Sequence, residues 1–411
     1  RKCTDFTFSS KDEPSLKITF SKFMRRFFYV LSFFLCFVTF GQGKYQLSED
    51  HYEKALNLYR SKSYGLAREE IDQSIRYVRN AKAYYLSGLI YEGQGKELRA
   101  VADYEATIKY DENFSEAYFQ KGIIYLKYHD PQQAIRDFTF LLNNTGSETR
   151  SVYFEIDPIG NKQNAVMSLQ NLEAKIHHYR GQAYQKNGEY DKAMLDFEKA
   201  IELDANPDYL VSKGLLAFSR GDEIAAIHAY KKAIQLHPDH QLAWYNLVLI
   251  DPTAEIPEGL VGKGGFGPTL SLLAARALAK KDYDLALEFY NKAIAESPNG
   301  LSLINRGRVL TKLGKLVEAR SDFEKARYVD PSRFEAFYLI GNTFFFQEDF
   351  EEALAYYNQY LSIDPEHAMT WYNGAMAYLE LDMGEEACNY LSKAQFLGMN
   401  EATILQQKYC Q

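Results

Sequence analysis

Tryptophan and cysteine are scarce in this chain, with two and four copies in 411 residues, and histidine occurs only eight times. Cys3, Cys36, Cys388 and Cys410 fall in no metal-ligand spacing, which argues against a zinc or iron–sulfur centre. His177 and His178 are adjacent, so on a helix they point to different sides and do not form a metal pair. His237 and His240 flank Pro238-Asp239 and read as turn residues. No serine or cysteine has a base near it in sequence, so no catalytic residue, metal site or cofactor is expected and the chain reads as a non-enzyme. Positive charge is also short. The formal net charge is −8, and without residues 1–43 it is −12 (40 basic, 52 acidic side chains). An acidic body lacks the basic footprint that phosphate backbones require, so nucleic acid is not the expected partner. The longest apolar run, from Phe27 to Phe40, is too short to span a bilayer comfortably as a helix.

What the chain has in quantity is rings and small residues at fixed spacing. Tyr and Phe number 32 and 27. One segment carries Gly307, Leu310, Gly314, Ala319, Phe323, Ala326 and Pro331. The next carries Gly341, Phe344, Ala353, Tyr357 and Pro365. From Gly307 to Gly341 is 34 residues, and from Gly341 to Ala375 another 34. A period of this size means stacked helix-turn-helix units that bury a continuous core only by stacking. In each unit the first helix bears a ring, a small residue and a second ring (Tyr118, Gly122, Tyr125). The second helix bears Ala134 and Phe138, four apart and so on one face. Glycine or alanine at the crossing lets the two helices touch, and proline closes the unit because it cannot continue a helix.

Further copies are Tyr84-Gly88-Tyr91-Ala100-Tyr104, Gly181-Tyr184-Gly188-Ala193-Phe197-Ala200, and Gly214-Gly221-Ala226-Tyr230-Ala233-Pro238. Two more are Ala274-Ala286-Tyr290-Ala293-Pro298 and Trp371-Ala375-Tyr378-Ala387-Ala394. An opening copy is degenerate (Ala55, Ala67, Ile71). From about residue 48 onward the chain resembles the tetratricopeptide repeat (TPR) family. That resemblance implies an all-α, right-handed superhelix of about eight to nine repeats with two non-repeat insertions.

The expected organisation is as follows. Residues 1–23 form a non-native or disordered leader. Residues 24–43 form a signal peptide, with Met24-Arg25-Arg26, the apolar run and Gly41-Gln42-Gly43 as its three regions. Repeat blocks follow at 48–142, 174–250 and 269–398, with a capping helix at 399–411. An insertion occupies 143–173, with turns at Asn143-Asn144-Thr145-Gly146 and Asp157-Pro158-Ile159-Gly160 and a strand-like Val152–Ile156. A Gly/Pro-rich loop with a hinge occupies 251–268, after a lone first helix at Trp244–Ile250. Gly262-Lys263-Gly264-Gly265-Phe266-Gly267 fits G-x-G-x-x-G, but a helix and a proline-bearing loop precede it where a nucleotide site needs a strand. Cys388 and Cys410 sit about one helix length either side of the Gly398 turn, so antiparallel helices bring them level. Spacing leaves open a disulfide or two free thiols.

The resemblance also implies that first helices line an inner groove. The matching positions include Tyr85, Phe119, His178, Tyr245, Tyr338 and Tyr372, with Gln182, Arg308, Asn342 and Met376 one turn on. Relatives that clamp a C-terminal carboxylate place Lys and Asn there in successive repeats, and this chain does not. Its groove suits a peptide with apolar anchors, although several of these rings have an alternative use in packing repeat on repeat. The expected function is a non-catalytic scaffold for a protein or peptide partner, exported to the periplasm or secreted. Two alternatives stand beside it. One is an envelope assembly or secretion subunit anchored in the inner membrane by residues 27–40. The other is a glycan- or ligand-binding protein whose insertions form a pocket.

Overall fold

The computed structural model describes residues 42–144, 169–261 and 264–410. The leader, the apolar run at 27–40, the turns and strand-like segment of the first insertion beyond Asn144, and Gly262-Lys263 lie outside them. Among the described residues the chain is wholly helical, and it divides into two units at Ala205/Asn206.

The first unit holds four antiparallel pairs. These are α1 (42–60) with α2 (Tyr64–Tyr77), α3 (Ala81–Gly93) with α4 (Glu97–Tyr110), α5 (Ser115–Lys127) with α6 (Pro131–Asn143), and α7 (Leu169–Lys186) with α8 (Tyr190–Leu203). Helix α7 is already formed at Leu169, ahead of the 174 boundary expected for the middle block. The second unit holds α9 (Pro207–Ser219) with α10 (Glu223–Leu236), then α11 (Gln241–Ile250), which has no antiparallel second helix. Next come α12 (Gly267–Ala279) with α13 (Tyr283–Glu296), α14 (Gly300–Lys312) with α15 (Leu316–Val329), and α16 (Glu335–Phe345) with α17 (Phe350–Leu361). It ends with α18 (Ala368–Glu380), α19 (Gly384–Phe396) and the single helix α20 (Asn400–Tyr409).

Each second helix uses the alanine and the side chain four residues later as its core. Ala100, Ala134, Ala193, Ala226, Ala286, Ala319, Ala353 and Ala387 are fully buried, as are Tyr104, Phe138, Phe197, Tyr290 and Tyr357. The first-helix glycine meets this ring. A Cβ added to Gly122 would lie 2.8 Å from the Phe138 ring, and Gly307 stands in the same relation to Phe323.

The turns are as regular as the helices. The N–H of Lys96 donates to the carbonyl of Tyr91, of Asp130 to Tyr125, of Lys315 to Leu310 and of Asp349 to Phe344. This is the six-to-one closure of a helix that ends on a left-handed residue. Gly95, Gly188, Gly221 and Gly314 supply it in four pairs, but Lys62, His129, Lys281, Glu348 and Asp382 take positive φ in the other five. Asp130, Asp222 and Asp282 then cap the following helices by accepting the N–H three residues on.

The Gly/Pro-rich loop is not the free hinge expected. Helix α12 begins inside it, at Gly267, and Ala254, Leu260 and Phe266 are buried. Arg276 of α12 donates to the carbonyls of Pro252 (3.0 Å), Asp251 (3.1 Å), Ala254 (3.3 Å) and Val248. Asp251 accepts from the hydroxyl and N–H of Thr253 and pairs with Lys231 at 3.0 Å, which holds its carboxyl down to about 2. One guanidinium thereby donates to four carbonyls at the end of α11 and the start of the loop, where no helix continues to pair them.

Candidate binding surface

First helices of successive repeats touch at several places: α5 meets α7 in the first unit, and in the second α9 meets α11 while α12, α14, α16 and α18 form a line. Among the described residues no comparable contact joins successive second helices. Where they touch, the first helices form one continuous face, and the expected groove positions lie on these helices.

The structure divides those positions between packing and exposure. In the first unit Phe119 and His178 are buried. Phe119 stands edge-on to Phe138 and Tyr179, while His178 lies against Tyr179 and Phe197 and reaches Gln182 at 3.2 Å. Tyr85 is half-buried between Tyr104 and Phe114. In the second unit Tyr338 packs on Tyr357, Tyr360 and His367, and Tyr372 joins the C-terminal core cluster. Asn342 accepts from the Tyr357 hydroxyl (2.8 Å) and from Asn373 (3.0 Å), whose amide also reaches the Tyr338 hydroxyl. Tyr245 and Met376 are half-buried, and Arg308 is exposed. So the structure brings Tyr338, Asn342 and Tyr357 into one network and leaves Arg308 facing solvent.

Sequence reasoning missed a repeated ion pair. Arg180 holds Asp196 with two hydrogen bonds (2.7 and 2.8 Å), and Arg306 holds Asp322 likewise (2.7 and 2.6 Å). Lys121 meets Asp137 at 3.2 Å. Each pair is 16 residues apart and joins the two helices of one repeat. The arginines also reach back one repeat, Arg180 to Thr139 and Arg306 to Asn291. His177 adds a third contact to Asp196 at 2.7 Å, which explains its place beside His178. A forked guanidinium satisfies both carboxylate oxygens, whereas an ammonium satisfies one. Accordingly the Asp196 carboxyl is lowered by Arg180 and His177 despite its burial, and the second oxygen of Asp137 has no partner. Burial pushes Asp137 up to about 6, against the pull of Lys121. The signal was legible as a basic residue and an aspartate at a constant offset.

The other expected sites are structural. His240 caps α11 through Ala243 and meets Asp208 at 3.0 Å, and His237 pairs with Asp239. Cys388 and Cys410 form a disulfide, with Cα atoms 5.6 Å apart, tying α19 to the end of α20. No described helix is long and apolar enough to cross a membrane.

Two tetratricopeptide repeat models match at four places, 81–114, 174–207, 207–240 and 334–367. These segments are tetratricopeptide repeats. Each matched TPR segment opens on a helix and a closing turn of the kind just described. An Hsp70-Hsp90 organizing protein of Triticum aestivum is 27% identical over 206 residues, covering 49% of this chain and 31% of that protein. Tetratricopeptide repeat protein 6 of Homo sapiens is 24% identical over 338 residues, covering 72% and 62%. The chain thus spans less than two thirds of the length of these curated relatives. Among solved structures, a tetratricopeptide repeat protein from Parabacteroides merdae has a TM-score of 0.44 at 17% identity, covering 72% of this chain and 99% of that one. YrrB, a TPR protein with an unusual peptide-binding site, has a TM-score of 0.35 at 22% identity, covering 52% and 97%.

Proposed function

We propose that the protein is an exported, non-catalytic scaffold that binds a protein or peptide segment along the inner faces of its repeats. The observation that carries this is the row of half-exposed rings and amides, Tyr85, Gln182, Tyr245, Asn342 and Tyr372, recurring on first helices in both units. Rings and amides of this kind provide large contact area with fixed polar anchors, which suits an extended or helical peptide. The likeness to an Hsp70-Hsp90 organizing protein lends general support to an interaction role. Export is favoured by Met24-Arg25-Arg26 with the apolar run that follows, and by the Cys388–Cys410 disulfide, since such bonds persist in oxidising compartments.

The test is photo-crosslinking in cells from a benzoyl-phenylalanine placed at Tyr245, Tyr372 or Leu98, followed by mass spectrometry. Leu98 is 71% exposed on a second helix and serves as the outer-face control. A partner captured from Tyr245 or Tyr372 and absent from Leu98 is expected. Capture from Leu98 alone, or from none of the three, overturns the proposal. N-terminal sequencing of the mature protein tests export, with a mature end near Gln42 or Lys44 expected.

A further inference from the structure

Helix α20 buries little of itself, and a covalent bond fastens it where packing fastens the other helices. It has 10 residues, fewer than the roughly 12–15 at which an isolated helix becomes even marginal in water. Met399 at its N-cap makes no side-chain capping bond. Ala402 is its one buried residue and Leu405 is half-buried, while Ile404 and Tyr409 face solvent. By comparison, α19 buries Ala387, Leu391 and Ala394. Gln406 donates to the Ser392 hydroxyl of α19 at 2.8 Å, in solvent. A single buried alanine does not offset the ordering entropy of a whole helix. The Cys388–Cys410 disulfide, from the second turn of α19 to the residue after α20, closes the far end of the helix onto its neighbour.

What α20 packs on belongs to the end of the proposed binding face. Ala402 joins Ala375, Leu391 and Ala394 in one buried cluster, and Trp371, Tyr372 and Leu405 pack against it. Tyr372, a ring of that face, therefore rests on a core that α20 helps to close. Cys388 and Cys410 are themselves half-buried, so a thiolate from solvent can reach the bond.

We propose that Cys388–Cys410 is a redox latch on α20 that controls the C-terminal end of the binding face. A dithiol opens it by attacking one sulfur as its thiolate, which forms a mixed disulfide and expels the other cysteine. The second thiol of the dithiol then displaces the bound cysteine. The products are two cysteine thiols and the oxidised dithiol, with two electrons and two protons exchanged. Once freed, α20 detaches, Leu391 and Ala394 become exposed, and Trp371 and Tyr372 lose their support. The effect on binding rests on the peptide-binding function proposed above; the opening of α20 does not.

The opening is read on the full chain labelled with fluorotryptophan, whose two fluorine resonances report Trp244 and Trp371. Dithiothreitol is expected to shift and sharpen the Trp371 resonance and to leave that of Trp244 in place. In Cys388→Ser/Cys410→Ser the Trp371 resonance should already stand at the shifted position and ignore dithiothreitol. The effect on binding is read in cells from a benzoyl-phenylalanine at Met376, one turn beyond Tyr372, or at Tyr245. Capture from Met376 is expected to fall at least about fivefold in the double variant, with capture from Tyr245 unchanged. A Trp371 resonance that dithiothreitol does not move, or equal capture from Met376 with and without the disulfide, overturns the inference. Capture from neither position in either protein overturns the binding function instead, and the fluorine shift then decides the latch by itself.

Discussion

Single residues carry costs that the helical period hides. Five of the nine turns within helix pairs place a side chain in the left-handed region that the four others give to glycine. A non-glycine residue there costs about 1–2 kcal/mol, part of which glycine returns through its freer unfolded chain. Glu348→Gly on the exposed α16–α17 turn is therefore expected to stabilise by about 0.5–1 kcal/mol in urea unfolding. A destabilised variant would show that the Glu348 side chain does more than close the turn. Asp137 carries a different cost. Its folded-state carboxyl titrates at about 6 against 3.8 for the free group, so the native state holds the extra proton between those values. Stability then falls as pH rises from about 4 to 6, by on the order of 2–3 kcal/mol. Lys121→Arg supplies the fork that Asp196 and Asp322 already enjoy. It is expected to flatten that fall and to raise stability more at pH 7 than at pH 4. Urea titrations at the two pH values decide this, and an equal effect at both contradicts the assigned cause.

Among elements, the helix pairs were legible in the sequence and the connections were not. The alanine and the ring four residues later announce a helix face, because 3.6 residues per turn bring positions four apart to the same side. Nothing comparable announced the strap between α11 and α12. Its order comes from Arg276, a residue of the next helix, and pairing over that distance leaves no local pattern. Arg276→Ala is expected to raise hydrogen exchange across 251–260 while α14 to α17 keep their protection; unchanged exchange in the strap would mean that Leu260 and Phe266 hold it unaided. The groove rings were half legible: their positions followed from the period, but Phe119 and His178 went into the stack because neighbouring rings filled the same gap. At the C-terminal end the disulfide closes a span of 22 residues, which in the chain-entropy account stabilises α19–α20 by about 3 kcal/mol. Reduction is expected to raise exchange throughout α20 and to leave α14 and α15 unchanged, as measured by mass spectrometry.

At the scale of the whole molecule, helices pack chiefly on their immediate neighbours in sequence, with weaker contacts to the next but one. Stability in such an array is a sum of unit terms and nearest-neighbour interfaces, so damage spreads by adjacency. Phe138 is the fully buried ring of the α5–α6 pair and packs on Phe119 and Tyr179 from the first helices on either side of it. Phe138→Ala should cost its own repeat about 3–5 kcal/mol. Hydrogen exchange is expected to rise most in α5 and α6, less in α4 and α7, and not at all in α14 to α17. A uniform rise along the chain would mean that the array unfolds as one cooperative body and that interface terms far exceed what each repeat contributes alone. The graded outcome bears on binding as well. A partner segment that bridges two first helices adds to one interface term, so its stabilisation should be greatest in the repeats it touches and fade within a neighbour on each side.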